Sequence, residues 1–404
     1  MKILGIETSC DETAAAVVED GQRLLSNAVF SSMDLHAQYG GVVPEIAARS
    51  HIEAIQPVIH QALTEANCTW NDIDGIAVTY GAGLGGSLLV GVMTARTLAI
   101  THSKPLYGIN HVEAHVYANF LTDTALPGYT MRATQPKFPM LAIIVSGGHS
   151  QLALFQNHFD YTLLGQTRDD AIGEAFDKVA KILGLPYPGG PSVSKKALEG
   201  DPHKYPLPTS QLSPRPTSVG IRQRVQHSDA VQGGAEDRNE PYMQVRRETT
   251  GGDNAAMRAV VESGKYDFSF SGLKTAVLRL AQAETGHGYD FPSTKLAAAL
   301  SEAQKADIAA SFQYTAIKTI VTKAKKAYDE FAPTSVVIAG GVAASPELRR
   351  QLTEVLSEVN IEYPDMQLCT DNGAMVATLG CFKASLDQPV ADPYSLAITP
   401  NLSM

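Results

Sequence analysis

Cysteine is sparse in this sequence and badly placed for cross-linking. Cys10, Cys68, Cys369 and Cys381 are the only four in 404 residues, and none stands in a CxxC or knuckle spacing. Neither a zinc ribbon nor a disulfide framework is expected, and a reducing cytosol fits. Long apolar runs are also missing. The most apolar helical stretch, 87–100, carries Arg96 and is too short for a bilayer. Met1 and Lys2 lead straight into Ile3-Leu4-Gly5-Ile6, a strand-length run with no small-residue cleavage site behind it. Neither a membrane span nor a secretory signal is expected. Positive charge is short as well: 32 Lys and Arg face 42 Asp and Glu, a net charge of −10. That balance argues against a protein that grips nucleic acid over its whole surface, so an RNA substrate would need a local patch or a partner. No GxxxxGK[ST] loop occurs, which excludes P-loop ATPase chemistry.

What is present is enough apolar residue, 44% of the chain, to bury a sizeable core in two or more domains. The pattern opens with a strand over 2–7, a polar turn over 8–13 and a second strand over 14–19. A helix is predicted over 44–66, where Ile46, Ile52, Ile55, Val58, Ile59 and Leu63 recur near helical spacing. A strand over 75–79, a glycine loop over 81–86 and a helix from 87 follow. From Pro139 the pattern restarts, with a strand over 140–145, a turn over 146–150 and a strand over 151–155. Later a strand over 335–339 runs into Gly340-Gly341 and a helix over 346–359. Two similar α/β halves with a cleft between them are predicted. Between 201 and 262 the texture changes: Pro202, Pro206, Pro208, Pro214 and Pro216 crowd together and apolar periodicity fades. Such a stretch buries too little apolar area to offset its ordering entropy, so a flexible insertion over 203–262 is expected. Its Arg215, Arg222, Arg224, Arg246 and Arg247 could touch RNA, but Glu236, Asp237 and Glu240 nearly balance them.

The chemistry-bearing signal is His111-Val112-Glu113-Ala114-His115. On a helix, positions i and i+4 lie on one face about 6 Å apart, which lets two imidazoles share an ion. A zinc peptidase places its glutamate directly after the first histidine; Glu113 stands at i+2, roughly 200° around the helix from His111. The bland alternative has one histidine packed in the core and the other facing solvent. Asp371 precedes an apolar run, where it could be a third ligand or merely an N-cap. The turn Val145-Ser146-Gly147-Gly148-His149 offers backbone N–H groups to an anion, or is a simple hairpin turn. Gly81-Ala82-Gly83-Leu84-Gly85-Gly86 formally satisfies a dinucleotide fingerprint, but no acid stands about 20 residues on. It reads better as a close-packed turn or a cleft wall. Asp177 lies past the first turn of an acid-rich helix start, with the turn Tyr187-Pro188-Gly189-Gly190-Pro191, expected to be a rigid loop, as its partner.

These segments, together with Gly5 to Thr13, Gly173 to Lys178, Ser269 to Lys274, Ala339 to Val342 and Cys369 to Met375, resemble the TsaD family of tRNA N6-adenosine threonylcarbamoyltransferases, once labelled glycoproteases. The resemblance implies the two-lobed actin-like, sugar-kinase and heat-shock ATPase (ASKHA) fold with an interlobe cleft. An N-terminal lobe would span 1–135, a C-terminal lobe 136–372, and 373–404 would pack back on the first. It also implies His111, His115 and Asp371 as ligands of one divalent ion per subunit, iron or zinc. Val145, Ser146, Gly147, Gly148, His149, Asp177 and Gly190 would form the substrate pocket, with Gly340 and Gly341 near the adenylate and Glu12 as a cleft acid. Two departures stand out. Ser345 replaces the family's usual nucleotide-contacting Asn, and the insertion is far longer than the family's link. The implied reaction moves the threonylcarbamoyl group of threonylcarbamoyl-AMP to N6 of the adenosine 3′ of the anticodon, in tRNAs that read codons beginning with A, and releases AMP. The implied partners are tRNA, a TsaB-like homologue in a heterodimer and a TsaE-like ATPase, with no membrane. A metalloprotease and a nucleotide-gated scaffold ATPase are the rival readings.

Overall fold

The computed structural model describes residues 1–209, 212 and 264–404. Its two sheets repeat one plan. In the first, β1 (Lys2–Glu7) pairs antiparallel with β2 (Glu12–Glu19), which pairs antiparallel with β3 (Arg23–Ser31). On its other side β1 runs parallel to β4 (Gly75–Gly81), and β4 parallel to β5 (Leu106–Asn110). A two-residue strand, β6 (Asp123–Thr124), extends the β3 edge. In the second sheet β7 (Met140–Val145) is antiparallel to β8 (Ser150–Asn157), and β8 to β9 (Asp160–Gln166). Across from β8, β7 runs parallel to β10 (Ser335–Ala339), which is parallel to β11 (Ile361–Glu362). The shared order, a meander joined to parallel strands through helices, is the ASKHA plan used twice. Each predicted hairpin is therefore a three-stranded meander; β3 and β9 were not expected.

The central strands are buried at almost every position because helices cover both faces of each sheet. On the outer face of the first sheet, Leu4, Ile6, Val17 and Val78 pack against Ile55, Val58 and Val92 of helices Pro44–Glu65 and Gly85–His102. On its inner face Ile3, Ala16 and Ala77 meet Met375, Val376 and Leu379 of helix Gly373–Ser385. That same cluster takes in Val112 and Val116 of helix His111–Tyr117, and Met140, Ala142 and Ile144 of the second sheet. Two helices are thus shared between the sheets. The far side of the second sheet is covered by Phe176 and Val179 of helix Ile172–Leu183 and by Phe312 and Ile317 of helix Glu302–Phe331.

Several expected boundaries shift. The helix expected over 346–359 ends at Val355, and the turn at Tyr187 to Pro191 is a loop only as far as Pro188, because Gly189–Ala197 is a helix. Of the expected insertion, 210–211 and 213–262 lie outside the described residues. Its first residues are tied down: Lys204 Nζ donates to Asp307 at 2.6 Å and the Tyr205 hydroxyl to Glu284 at 2.8 Å. No helix among the described residues is long and apolar enough to cross a membrane.

The Gly373–Ser385 helix approaches the first sheet at backbone contact. A Cβ on Gly5 would stand 2.4 Å from the Ala377 nitrogen and the Gly373 oxygen, and one on Gly380 2.6 Å from the Ala77 Cβ. Replacing Gly5 with Ala is expected to cost about 1–3 kcal/mol through overpacking. Gly272→Ala, in open space at a helix start, should stay within about 1 kcal/mol of the parent. Chemical denaturation of both variants checks this; equal stabilities would contradict the close packing.

Candidate metal centre and cleft

Strand β5 ends in Asn110, whose side-chain oxygen accepts from the backbone N–H of Val112 at 2.9 Å and Glu113 at 3.3 Å. This N-cap starts the helix at His111. The His111 and His115 rings then lie edge to face with centroids 4.8 Å apart. Asp371 arrives from the other shared helix: its Oδ1 is 3.6 Å from His111 Nε2 and 3.2 Å from His115 Nε2. One ligand atom from each of the three lies within 4.8 Å of the others. Both histidines are buried, so neither faces solvent as the bland alternative requires. Asp371 is not the helix cap either. Asn372 fills that role, accepting from the Met375 N–H at 3.0 Å, and leaves the aspartate free to point at the histidines.

A fourth group, missed in the sequence, fixes the first histidine. Glu7, at the end of β1, is wholly buried, and its Oε2 lies 3.3 Å from His111 Nδ1. Glu7 is held in turn by the Ser9 N–H and the Thr79 hydroxyl, each at 2.5 Å. With Nδ1 engaged by a carboxylate, Nε2 is left for an ion, the usual carboxylate–imidazole–metal arrangement. His115 is stranded: it is 1% exposed, yet neither ring nitrogen has a hydrogen-bond partner. Its contact with Asp371 is close but is not aligned as a hydrogen bond. A buried imidazole without partners is costly, and a cation between the two side chains would satisfy it. The donor set therefore fits a divalent ion with three protein ligands and an open position.

The charges agree. Burial pushes the Asp371 carboxyl up, but His111, His115 and His149 outweigh it and hold the group well below the usual carboxylate range. Burial pulls His111 down, yet Asp371 and then Glu7 raise it to about 9. His149, whose ring centroid is 6.4 Å from that of His111, is pushed down to about 4 by burial and by the two neighbouring imidazoles. Glu12 rises to about 10 through burial and then the nearby charges of Asp371 and Asp11. Glu113 is buried too, raised to about 7, with Lys383 rather than the histidine pair as its charged neighbour. The peptidase geometry is absent.

The β7–β8 turn closes on itself: the Ser146 N–H donates to the His149 carbonyl at 2.8 Å, and the His149 N–H to the Ser146 hydroxyl at 3.1 Å. Val145 ends the strand and its oxygen presses on Gly340, where φ is +89° and a Cβ would come within 2.5 Å. Gly173 packs on the opposite side, with a Cβ position 2.7 Å from the Gly147 Cα. Clamped this way, Gly147 and Gly148 face open space, as nothing lies within 4 Å of a Cβ on either. Gly341 is almost as open, its nearest neighbour being Thr370 at 4.0 Å. Asp177 accepts from the Gly189 N–H at 2.7 Å, which joins it to the 187–191 segment; Gly190 beside it has no neighbour in the way of a side chain. Burial raises the Asp177 pKa despite that bond.

Ser345 is the N-cap of Pro346–Val355, its hydroxyl oxygen accepting from the Leu348 N–H at 3.4 Å. The Gly81–Gly86 stretch is a packed turn: Cβ positions on Gly81 and Gly83 would fall 2.1 Å from the Thr399 oxygen and 2.5 Å from the Ser9 oxygen. No room remains there for a pyrophosphate.

Glu7→Gln should lower divalent-metal affinity by about 10–100-fold, the range for loss of such a supporting carboxylate. Chelator competition measures it; parent-like affinity would remove Glu7 from the centre.

The profile of the family described as TsaD, tRNA N6-adenosine threonylcarbamoyltransferase, matches residues 23–228 and 226–378. The chain is 43% identical over 406 aligned positions to the tRNA N6-adenosine threonylcarbamoyltransferase of Desulfitobacterium hafniense, with 100% of this chain and 98% of the relative covered. It is 44% identical to the enzyme of that name from Thermomicrobium roseum, over 93% of this chain and 90% of the relative. Among solved structures, component A of the (R)-2-hydroxyglutaryl-CoA dehydratase of Acidaminococcus fermentans aligns over 96% of this chain and 99% of its own at a TM-score of 0.42 and 14% identity. On the profile and the curated relatives, the chain belongs to the TsaD family of tRNA N6-adenosine threonylcarbamoyltransferases.

Proposed function

We propose that this protein transfers the threonylcarbamoyl group of threonylcarbamoyl-AMP to N6 of the adenosine 3′ of the anticodon, in tRNAs reading codons that begin with A. The convergence of His111, His115 and Asp371 beside the open Gly147–Gly148 turn carries the reading, together with the family's name. A divalent ion, which we assign as iron or zinc, would be held by these three residues and would supply a Lewis acid and a template for the donor's oxygens. Glu7 orients the His111 ring, and Asp371 lends the charge that a cation needs beside two imidazoles. The backbone N–H groups of the turn bind phosphate or carbonyl oxygen, with Ser146 and His149 as polar flanks. Asp177 and Gly190 line the same pocket, Gly340 and Gly341 lie at its adenylate end, and Glu12 is an acid of the cleft. In the transfer, the N6 nitrogen bonds the carbamoyl carbon. The bond from that carbon to the phosphate oxygen breaks, AMP leaves with the electron pair, and N6 gives up one proton to water. No protein nucleophile takes part.

We also assign the reaction to the cytoplasm, with a TsaB-like homologue and a TsaE-like ATPase as partners that help an acidic protein hold tRNA. The lobes are taken as 1–135 and 136–372, with 373–404 returning to the first. Reconstitution with threonylcarbamoyl-AMP and tRNA, followed by nucleoside analysis, tests the reading: the parent should form threonylcarbamoyladenosine. His111→Ala and His115→Ala together should remove the metal and lower the rate at least about hundred-fold, since several kcal/mol is the usual scale of such assistance. Full activity in the metal-free double variant would contradict it.

A further inference from the structure

A cavity of about 330 Å³ opens between the two lobes on one side of the β7–β8 turn. This volume is at the lower end of those that hold small ligands, about 300–1,000 Å³. One wall is the second lobe: Gly148 and His149 of the turn, Gln151 on β8 and Gln166 on β9. The other wall is residues 400–403, which are pinned to the first lobe. The Gly83 N–H donates to the Pro400 oxygen at 3.0 Å, and the Asn110 amide, next to the metal-bearing helix, to the Ser403 oxygen at 3.1 Å. The wall opposite Gln151 is thereby fixed relative to His111.

Position separates this cavity from the adenylate end. In the order β11-β10-β7-β8-β9, Gly340 and Gly341 follow β10 on one side of the turn, whereas Gln151 and Gln166 stand on β8 and β9 on the other. A group there reaches the turn from the side away from the donor's nucleotide. Chemistry narrows what that group is. No Lys or Arg lines the cavity among the described residues, so no permanently cationic side chain there answers a carboxylate or a phosphate. Beside Ser150, Thr167, Asn401 and Ser403, two amides stand paired on adjacent strands, Gln151 against Gln166. Gln151 is 4% exposed, and its Oε1 is buried without a hydrogen-bond partner. An unpaired buried amide oxygen asks for a donor, and the amide's own N–H₂ can serve an acceptor beside that donor on the same ligand. A glutamine amide meets the N6 and N7 edge of adenine in that bidentate way.

Resting on the transferase reading above, the geometry points to this cavity as the seat of the acceptor adenine, unstacked from the anticodon loop, with Gln151 reading its N6–N7 edge. The Gln151 oxygen accepts one N6 hydrogen, and its N–H₂ donates to N7. The N6 lone pair then stays out of the base plane and free to attack the carbamoyl carbon at the neighbouring turn. An acceptor brought out of its stack in this way fits enzymes that do chemistry on a base.

The test pairs a protein change with an atom change in the substrate, using the complete, metal-loaded protein with its partners. Anticodon stem-loops carrying adenosine or 7-deazaadenosine at the target position are compared at saturating threonylcarbamoyl-AMP. For the parent, kcat/KM should fall about ten-fold or more on loss of N7, the discrimination expected of one good base-edge pairing. For Gln151→Leu, adenosine should be modified at least about ten-fold more slowly, with the preference for N7 reduced to near one and the KM for the donor unchanged. Asn401→Trp, a change at an exposed residue of the opposite wall, should raise the KM for the stem-loop without altering metal content, which keeps the test open if Gln151→Leu folds poorly. An undiminished N7 preference in Gln151→Leu, or a raised KM for the donor instead of the stem-loop in either variant, overturns the assignment. A parent that modifies neither stem-loop nor tRNA would sink the transferase reading itself, a result distinct from both.

Discussion

The packing of helix His111–Tyr117 against helix Gly373–Ser385, inside one core between two sheets, is what the rest of the site depends on. Each helix begins at the cleft. One delivers two imidazoles from its first two turns, and the other is preceded by Asp371. The two sets are far apart in sequence, and no loop has to be ordered to join them. The close approach that makes this possible is bounded by Gly5, Gly373 and Gly380, where a single added carbon would meet backbone or a neighbouring Cβ. The small residues of these strands thus act on function through distance: they set how far the aspartate stands from the histidines.

Electrostatics at the meeting point is poised for a cation and an anionic substrate together. Two helix N-termini favour negative charge, and Asp371 and Glu7 supply it permanently. Around them the other acids behave differently: Glu12 is raised to about 10 and Glu113 to about 7 by burial, the first reinforced by Asp371 and Asp11. Burial thus works against charge on the acids around the two carboxylates that face the histidines. A donor bearing a phosphate meets less repulsion than the composition, with its net charge of −10, would suggest.

Much of this was legible in the sequence because the signals were periodic or chemically specific. The repeated strand–turn–strand pattern at 2–19 and 140–155 foretold two related lobes, and the His111–His115 spacing foretold one face. Strands β3 and β9 were missed because their edge positions carry mixed residues: β3 alternates between buried and open sites and then runs out into solvent. Ser345 illustrates a second limit. A serine before Pro346 and Glu347 is a good N-cap on local grounds, and its hydroxyl oxygen does accept from the Leu348 N–H, a bond that no family pattern specifies. Glu7 was overlooked for the opposite reason. An acid closing an apolar strand looks like the start of a loop, and only the fold shows that its oxygens are sealed among Ser9, Thr79 and His111. Gln151 could not be singled out at all, since the cavity it lines exists only once residues 400–403 return to form the other wall.

X-ray absorption at the metal edge of zinc-loaded protein tests the central claim most directly. The account predicts two imidazole nitrogens at about 2.0–2.1 Å and carboxylate or water oxygen at about 2.0–2.2 Å, with one imidazole lost from the shell in His115→Ala. A thiolate contribution near 2.3 Å, or a spectrum that His115→Ala leaves unchanged, would contradict it.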